Sequence, residues 1–202
     1  MIHSFNYHRK TSPGVKRGKV QKTNRMAETS SYWNTAQSAP VVDRAPPGKG
    51  FRHFLTPRDI CSFVGILPAW EHISQDLQAV LLAPGETGVD GWYTSSVVAI
   101  VAWEEDCWRT VPSDYYHLHK DLLDRLGVSC SKQGNEYLCQ FFPASIRAFQ
   151  LLHVFLHELG HHYDRMTTRS KIESSRGEMF AENYATRYSD LIWNRYLDVF
   201  KL

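Results

Sequence analysis

The 202-residue sequence predicts an α+β domain in which a small mixed sheet packs on one long helix and on a further helix that closes the chain. Three observations lead there. A short apolar run at 78–83 and a β-branched, aromatic-rich run at 91–103 sit mid-chain and read as strands. Helical patterns flank them. From about Pro143 onward the chain is almost continuously helical and largely apolar, so strands first and long helices last argue for α+β layers. The longest apolar run, Val97 to Trp103, falls far short of the roughly 18 residues that span a bilayer, so a membrane protein is excluded.

The elements follow in order. Thr56-Pro57-Arg58-Asp59 is a helix start, with Thr56 as N-cap, Pro57 in the first turn and Asp59 facing the helix dipole. A second short helix runs from Pro68 to about Leu77. Gln78 to Ala83 is a strand ended by Pro84-Gly85, and Gly91 to Trp103 is a second strand long enough to pair with it. Ser113 to Leu126 is a helix stopped by Gly127. Glu136 to Phe142 is a third strand. Helices over about Pro143–Arg165 and Gly177–Phe200 complete the domain.

Charge divides the chain. Residues 1–50 hold nine Lys/Arg against two acids, a net of +7, so residues 51–202 carry −5 within the +2 total. The first 50 residues are rich in Ser, Thr, Pro and Gly and lack apolar periodicity. Such a stretch cannot bury enough surface to offset its chain entropy, and it reads as a disordered basic tail before a domain at 51–202. Met26 is an alternative start that would remove most of those charges. Nucleic-acid binding has only this tail to support it, because the domain is mildly acidic and has no basic stripe. The N-terminus has no apolar h-region, so a cytoplasmic protein is expected. Its cysteines, Cys61, Cys107, Cys130 and Cys139, have no CxxC spacing and default to free thiols, although Cys130 and Cys139 could pair in an exported chain.

Chemistry concentrates in His157-Glu158-Leu159-Gly160-His161, an H-E-x-x-H motif inside a helical segment. Residues i and i+4 stand one above the other on a helix face, so both imidazoles can reach one ion. Glu158 lies about 100° round the helix from His157, beside that ion rather than on it. There its carboxylate can take a proton from a water that the metal has acidified. The apolar run before the motif, from Phe149 to Leu156, would bury the helix.

A catalytic zinc keeps three protein ligands and an open position. The long form of the motif, ending G-x-x-H, fails here, because Asp164 and Thr167 occupy those positions. Glu178 and Glu182 lie four apart on the last helix, and 17 positions separate His161 from Glu178, enough to turn and return alongside. On these residues the chain resembles the gluzincins, zincin-type zinc metallopeptidases of the thermolysin and anthrax lethal-factor kind, over roughly residues 144–200. That resemblance implies a compact zincin-like domain, with Zn²⁺ on His157, His161 and Glu178. It also implies that Glu182 orients a ligand histidine through the other ring nitrogen. Glu178 also sits at capping-box spacing from Ser175, which would leave Glu182 as the ligand.

The expected activity is zinc-dependent hydrolysis of a protein or peptide substrate, with Glu158 as general base. The alternative is a metal-stabilised binding or regulatory module without turnover. The strand at 97–103 is the candidate substrate-pairing edge. His153, one turn before His157, is expected to pack or to support a ligand. His162 and Tyr163 point off the ligand stripe. Asp164 is expected to be solvated or paired with Arg165 or Arg169, and Tyr184 and Tyr188 are candidate oxyanion donors. His117 and His119 are expected at the surface, and Glu104-Glu105-Asp106 in a solvated turn.

Overall fold

The computed structural model describes residues 31–169 and 174–201, and the backbone of a short antiparallel hairpin, β1 (Val15–Lys16) with β2 (Lys19–Val20). The rest of the expected basic tail, Met26 included, lies outside the described residues. The fold is α+β, built from small mixed sheets and long helices.

The principal sheet has four strands in the order β3 (Val41–Arg44), β5 (Ala79–Ala83), β7 (Val97–Val101) and β6 (Gly91–Thr94). The first three run parallel and β6 antiparallel to β7. Its strands β5 and β7 are buried at every position, which explains why they are apolar runs rather than alternating ones. Side chains still divide by face. Val42, Val80, Leu82, Val98 and Ile100 join the main core against the helices. On the opposite face, Val41, Leu81, Val97 and Val101 form a smaller core with Tyr32.

Two expectations are corrected by this sheet. The tail does not extend to residue 50. Tyr32 is buried and donates its hydroxyl hydrogen to Asp43 Oδ2 at 2.9 Å, and β3 is a strand of the sheet, so the described segment from residue 31 is part of the folded domain. The 91–103 segment is not one strand either. It folds back at Ser95-Ser96, both at positive φ (49° and 62°), so Gly91–Thr94 pairs with Val97–Val101. Strand β7 is therefore internal, and β6 is the edge.

Two further sheets frame this one. Strand β4 (Phe51–Arg52) pairs with β8 (Trp103–Glu104). The antiparallel sheet β10 (Ser129–Gln133), β11 (Glu136–Gln140) and β9 (Trp108–Pro112) contains two strands absent from the sequence-based expectation. Cys130 and Cys139 face each other across β10 and β11 and form a disulfide, against the expectation of free thiols, while Cys61 and Cys107 remain free.

Helix α1 (Pro57–Val64) starts in a capping box in which the Thr56 hydroxyl and the Asp59 carboxylate accept each other's backbone N–H. The second helix is shorter than expected, α2 (Trp70–Ile73), and α3 (Ser113–Arg125) begins where expected. The expected helix from Pro143 is continuous but not uniform: α4 (Pro143–Phe149), a π-helical turn at Gln150–Phe155, then α5 (Leu156–Thr167). Buried Gln150 ties that turn to the sheet by donating to the Val101 carbonyl at 2.9 Å. The chain then returns as α6 (Glu178–Phe200). No helix among the described residues is long and apolar enough to cross a membrane.

Candidate metal centre

Gly160, inside the H-E-x-x-H segment, sets how closely α5 and α6 approach. A Cβ at this position would lie 2.9 Å from the Ala181 Cα and 3.2 Å from the Tyr184 Cβ, so only glycine allows the backbones to come together here. That crossing brings Glu178 and Glu182, in the first turns of α6, over the histidines of α5.

The ligand atoms converge as a consequence. Glu178 Oε2 lies 3.1 Å from His157 Nε2 and 3.4 Å from His161 Nε2. The three residues each offer a donor atom within 4.8 Å of the others. The opposite ring nitrogens are engaged elsewhere: His157 Nδ1 lies 3.1 Å from Glu182 Oε2, and His161 Nδ1 lies 2.9 Å from Ser174 Oγ. With each Nδ1–H donated to an oxygen, both Nε2 lone pairs are free for an ion. Two imidazole nitrogens and a carboxylate oxygen are a donor set suited to Zn²⁺, so the residues present fit that metal.

Asp164 is what holds the returning chain in register. It is fully buried, accepts from the Arg176 backbone N–H at 2.7 Å and pairs with the Arg176 guanidinium at 3.0 Å. This differs from the expected solvation or pairing with Arg165 or Arg169. Arg165 instead donates to Ser96 Oγ, at the fold-back before β7.

Glu158 is buried on the other side of His157, facing edge strand β6. The approach is close enough that a Cβ on Gly91 would lie 3.0 Å from Glu158 Cγ and 2.7 Å from Val154 Cγ1. Burial pushes the Glu158 carboxyl up to about 7, with the positive field of His157 opposing and the negative fields of Glu178 and Asp90 adding. Burial also lowers His161, helped by His157. It would lower His157 too, but Glu182, Glu158 and Glu178 outweigh it and leave that imidazole raised. A cleft of about 410 Å³ opens here, lined by Asp90 and Gly91 from the β6 side, by His157 and Glu158, and by Glu178 and Met179.

Residues expected elsewhere also gather at this site. His119 is buried rather than on the surface, stacked against Tyr115 and His153, and it faces Glu182. His153 lies on the same carboxylate, at 3.8 Å. Glu104 is not in a solvated turn but pairs with Arg109, whose guanidinium lies 3.3 Å from the Trp103 ring and also binds Asp90. Asp90 in turn accepts from the Tyr115 hydroxyl at 2.7 Å. Neither Tyr184 nor Tyr188 lines the cleft; both stack on each other, Tyr184 also against Tyr163. His162 lies off the ligand stripe as expected. It donates to the Gln75 carbonyl at 2.9 Å and accepts from Tyr93 at 3.1 Å, and burial holds it down at about 4. The pattern of His117 and His119, two apart on α3, signals nothing by itself. Packing against Phe149, His153 and Glu182 is what makes His119 internal.

Comparison of the chain with protein-family models and curated proteins, and of its fold with solved structures, finds no match.

Proposed function

We propose that the protein is a zinc-dependent metallopeptidase of the gluzincin kind, with His157, His161 and Glu178 as ligands and Glu158 as general base. The observation that carries the reading is the single point of convergence. One carboxylate oxygen of Glu178 faces both Nε2 atoms, while Glu182 and Ser174 occupy the Nδ1 atoms. This favours Glu178 over Glu182 as the third ligand, because Glu182 is already engaged with the far side of His157. Bound there, Zn²⁺ would act as a Lewis acid on a peptide carbonyl and would acidify water.

The remaining work belongs to the chain's own side chains. Glu158, poised near neutral pH by burial, accepts the proton of the attacking water and passes it to the leaving amine. Edge strand β6 (Gly91–Thr94) replaces β7 as the surface that receives an extended substrate by backbone pairing, and its Gly91 lets that strand lie close to Glu158. Exposed Leu118 and Met179 give the cleft an apolar rim suited to a protein or peptide substrate. The Cys130–Cys139 disulfide suits an oxidising compartment better than the cytoplasm expected from the N-terminal sequence.

Metal analysis by mass spectrometry tests the reading. His157→Ala should lose one zinc per chain relative to the wild type. Glu158→Gln should keep that zinc and lose cleavage of an unfolded substrate such as casein. A zinc count in His157→Ala equal to that of the wild type overturns the ligand assignment. Cleavage unaffected in Glu158→Gln overturns Glu158 as general base, zinc bound by a wild type that cleaves nothing leaves the metal-stabilised module without turnover as the better description, and zinc absent from both proteins overturns both readings.

A further inference from the structure

The tautomer of His119 is fixed by its own helix. Its Nδ1 lies 2.7 Å from the Tyr115 carbonyl, so Nδ1 carries the hydrogen and donates it. A neutral imidazole then presents a bare lone pair at Nε2. That atom is buried, makes no hydrogen bond, and lies 3.4 Å from Glu182 Oε1, an acceptor. Two lone pairs facing each other in a buried site repel, and the arrangement needs a positive charge between them.

A proton on His119 is one answer. His153 Nδ1 also addresses Glu182 Oε1, at 3.8 Å, and the two imidazole rings pack edge to face with centroids 4.2 Å apart. His153 can meet this oxygen with the single proton of its neutral ring, but His119, whose Nδ1–H is already given to Tyr115, could do so only as a charged ring buried against its neighbour. One cation held by all three donors satisfies each of them. The donor atoms of His119, His153 and Glu182 lie within 4.8 Å of one another, and both histidine side chains are at least nine-tenths buried.

We propose that His119, His153 and Glu182 form a second binding site for a divalent transition-metal ion, of the class that prefers two imidazoles and a carboxylate, Zn²⁺ foremost. The three residues line both the cleft and a second cavity of about 490 Å³ beside α3 and α6, which gives an ion a route that does not cross Glu158. Glu182 joins the two sites: Oε2 faces His157 and Oε1 faces the second ion's place. The proposal stands on its own geometry and does not require that the first site turns over a substrate.

The test strips the full-length chain with chelator, titrates it with Zn²⁺ alone and counts bound ions by native mass spectrometry. Two ions are expected in the wild type, and one each in His119→Gln and in the His157→Ala/His161→Ala double variant. One ion in the wild type, lost in the double variant and kept in His119→Gln, overturns this proposal and leaves the proposed function standing. One ion lost in His119→Gln but kept in the double variant supports this site and overturns the other. Histidine ¹⁵N spectra of the wild type provide a measurement free of folding effects. A zinc-dependent shift of His119 Nε2 is expected, and a doubly protonated His119 that ignores added zinc at neutral pH overturns the proposal.

Discussion

Glu178 and Glu182 stand one turn apart on α6 and live in different worlds. The Glu178 side chain is 78% exposed and reaches over the open cleft, whereas that of Glu182 is 13% exposed and is enclosed by His119, His153 and His157. Burial would raise the Glu182 carboxyl, but the hydrogen bond it accepts from His157 Nδ1–H helps to hold it well below the usual carboxylate range. The contrast separates two jobs that the spacing alone left joined. An exposed ligand can share its ion with a substrate, and an enclosed carboxylate, held ionised by its neighbours, can orient a ring and never needs to meet one.

The largest effect should come from the general base beside the centre that both acids build. Glu158→Gln is expected to lower the cleavage rate by about 10² to 10⁴-fold with bound zinc unchanged, measured as single-turnover cleavage beside metal content. Glu182→Gln sharpens the contrast more directly. It keeps the shape and removes the charge, and zinc affinity at the open site should fall about 10 to 100-fold, read by competition with a chromophoric chelator. A smaller loss there than in Glu178→Gln is required if Glu178 is the ligand; the reverse order exchanges their roles.

Two stability measurements address the frame that holds the acids apart. His162 takes up its proton at about 4 in the folded protein, against about 6.5 when unfolded. At pH 7 it is neutral in both states and costs nothing. As pH falls from about 6.5 to about 4, the unfolded chain gains the proton first, and the metal-free protein should lose on the order of 3 kcal/mol. Urea denaturation across that range should show a shallower slope in His162→Gln. Gly160→Ala inserts a methyl group where backbone already stands and should cost about 1–3 kcal/mol, with weaker zinc binding because Glu178 and Glu182 move together.

How much of this was legible follows from the range of each interaction. The histidine pair and Glu158 could be found because a helix fixes side chains four apart whatever surrounds them. The glutamates could be found because one long helix carries both, although their division of labour needed the three histidines around Glu182. The fold-back at Ser95-Ser96 was hidden, since two serines at positive φ carry none of the Asn-Gly or Asp-Gly signal that marks such hairpins. Strand β3 was hidden inside basic, proline-rich composition, because four residues with a parallel partner 38 positions away leave no local period. His119 and Asp164 were misplaced for a related reason. Their burial depends on α6 and on Arg176, which meet them only after the chain has turned back.

The π-helical turn at Gln150–Phe155 stands between the two halves of the helix that carries the histidines. A π turn holds one residue more than an α turn, so it accommodates an extra residue without breaking the helix. His153 lies within it and His157 just beyond it. Deleting one residue before His153 would let the segment relax to α-helix and swing everything upstream by about 100° relative to the H-E-x-x-H segment. The extra residue therefore works as a phase shifter. It sets the angle between the sheet-anchored half of this helix and the metal-facing half, and a lineage could retune that angle by length alone, leaving every ligand in place.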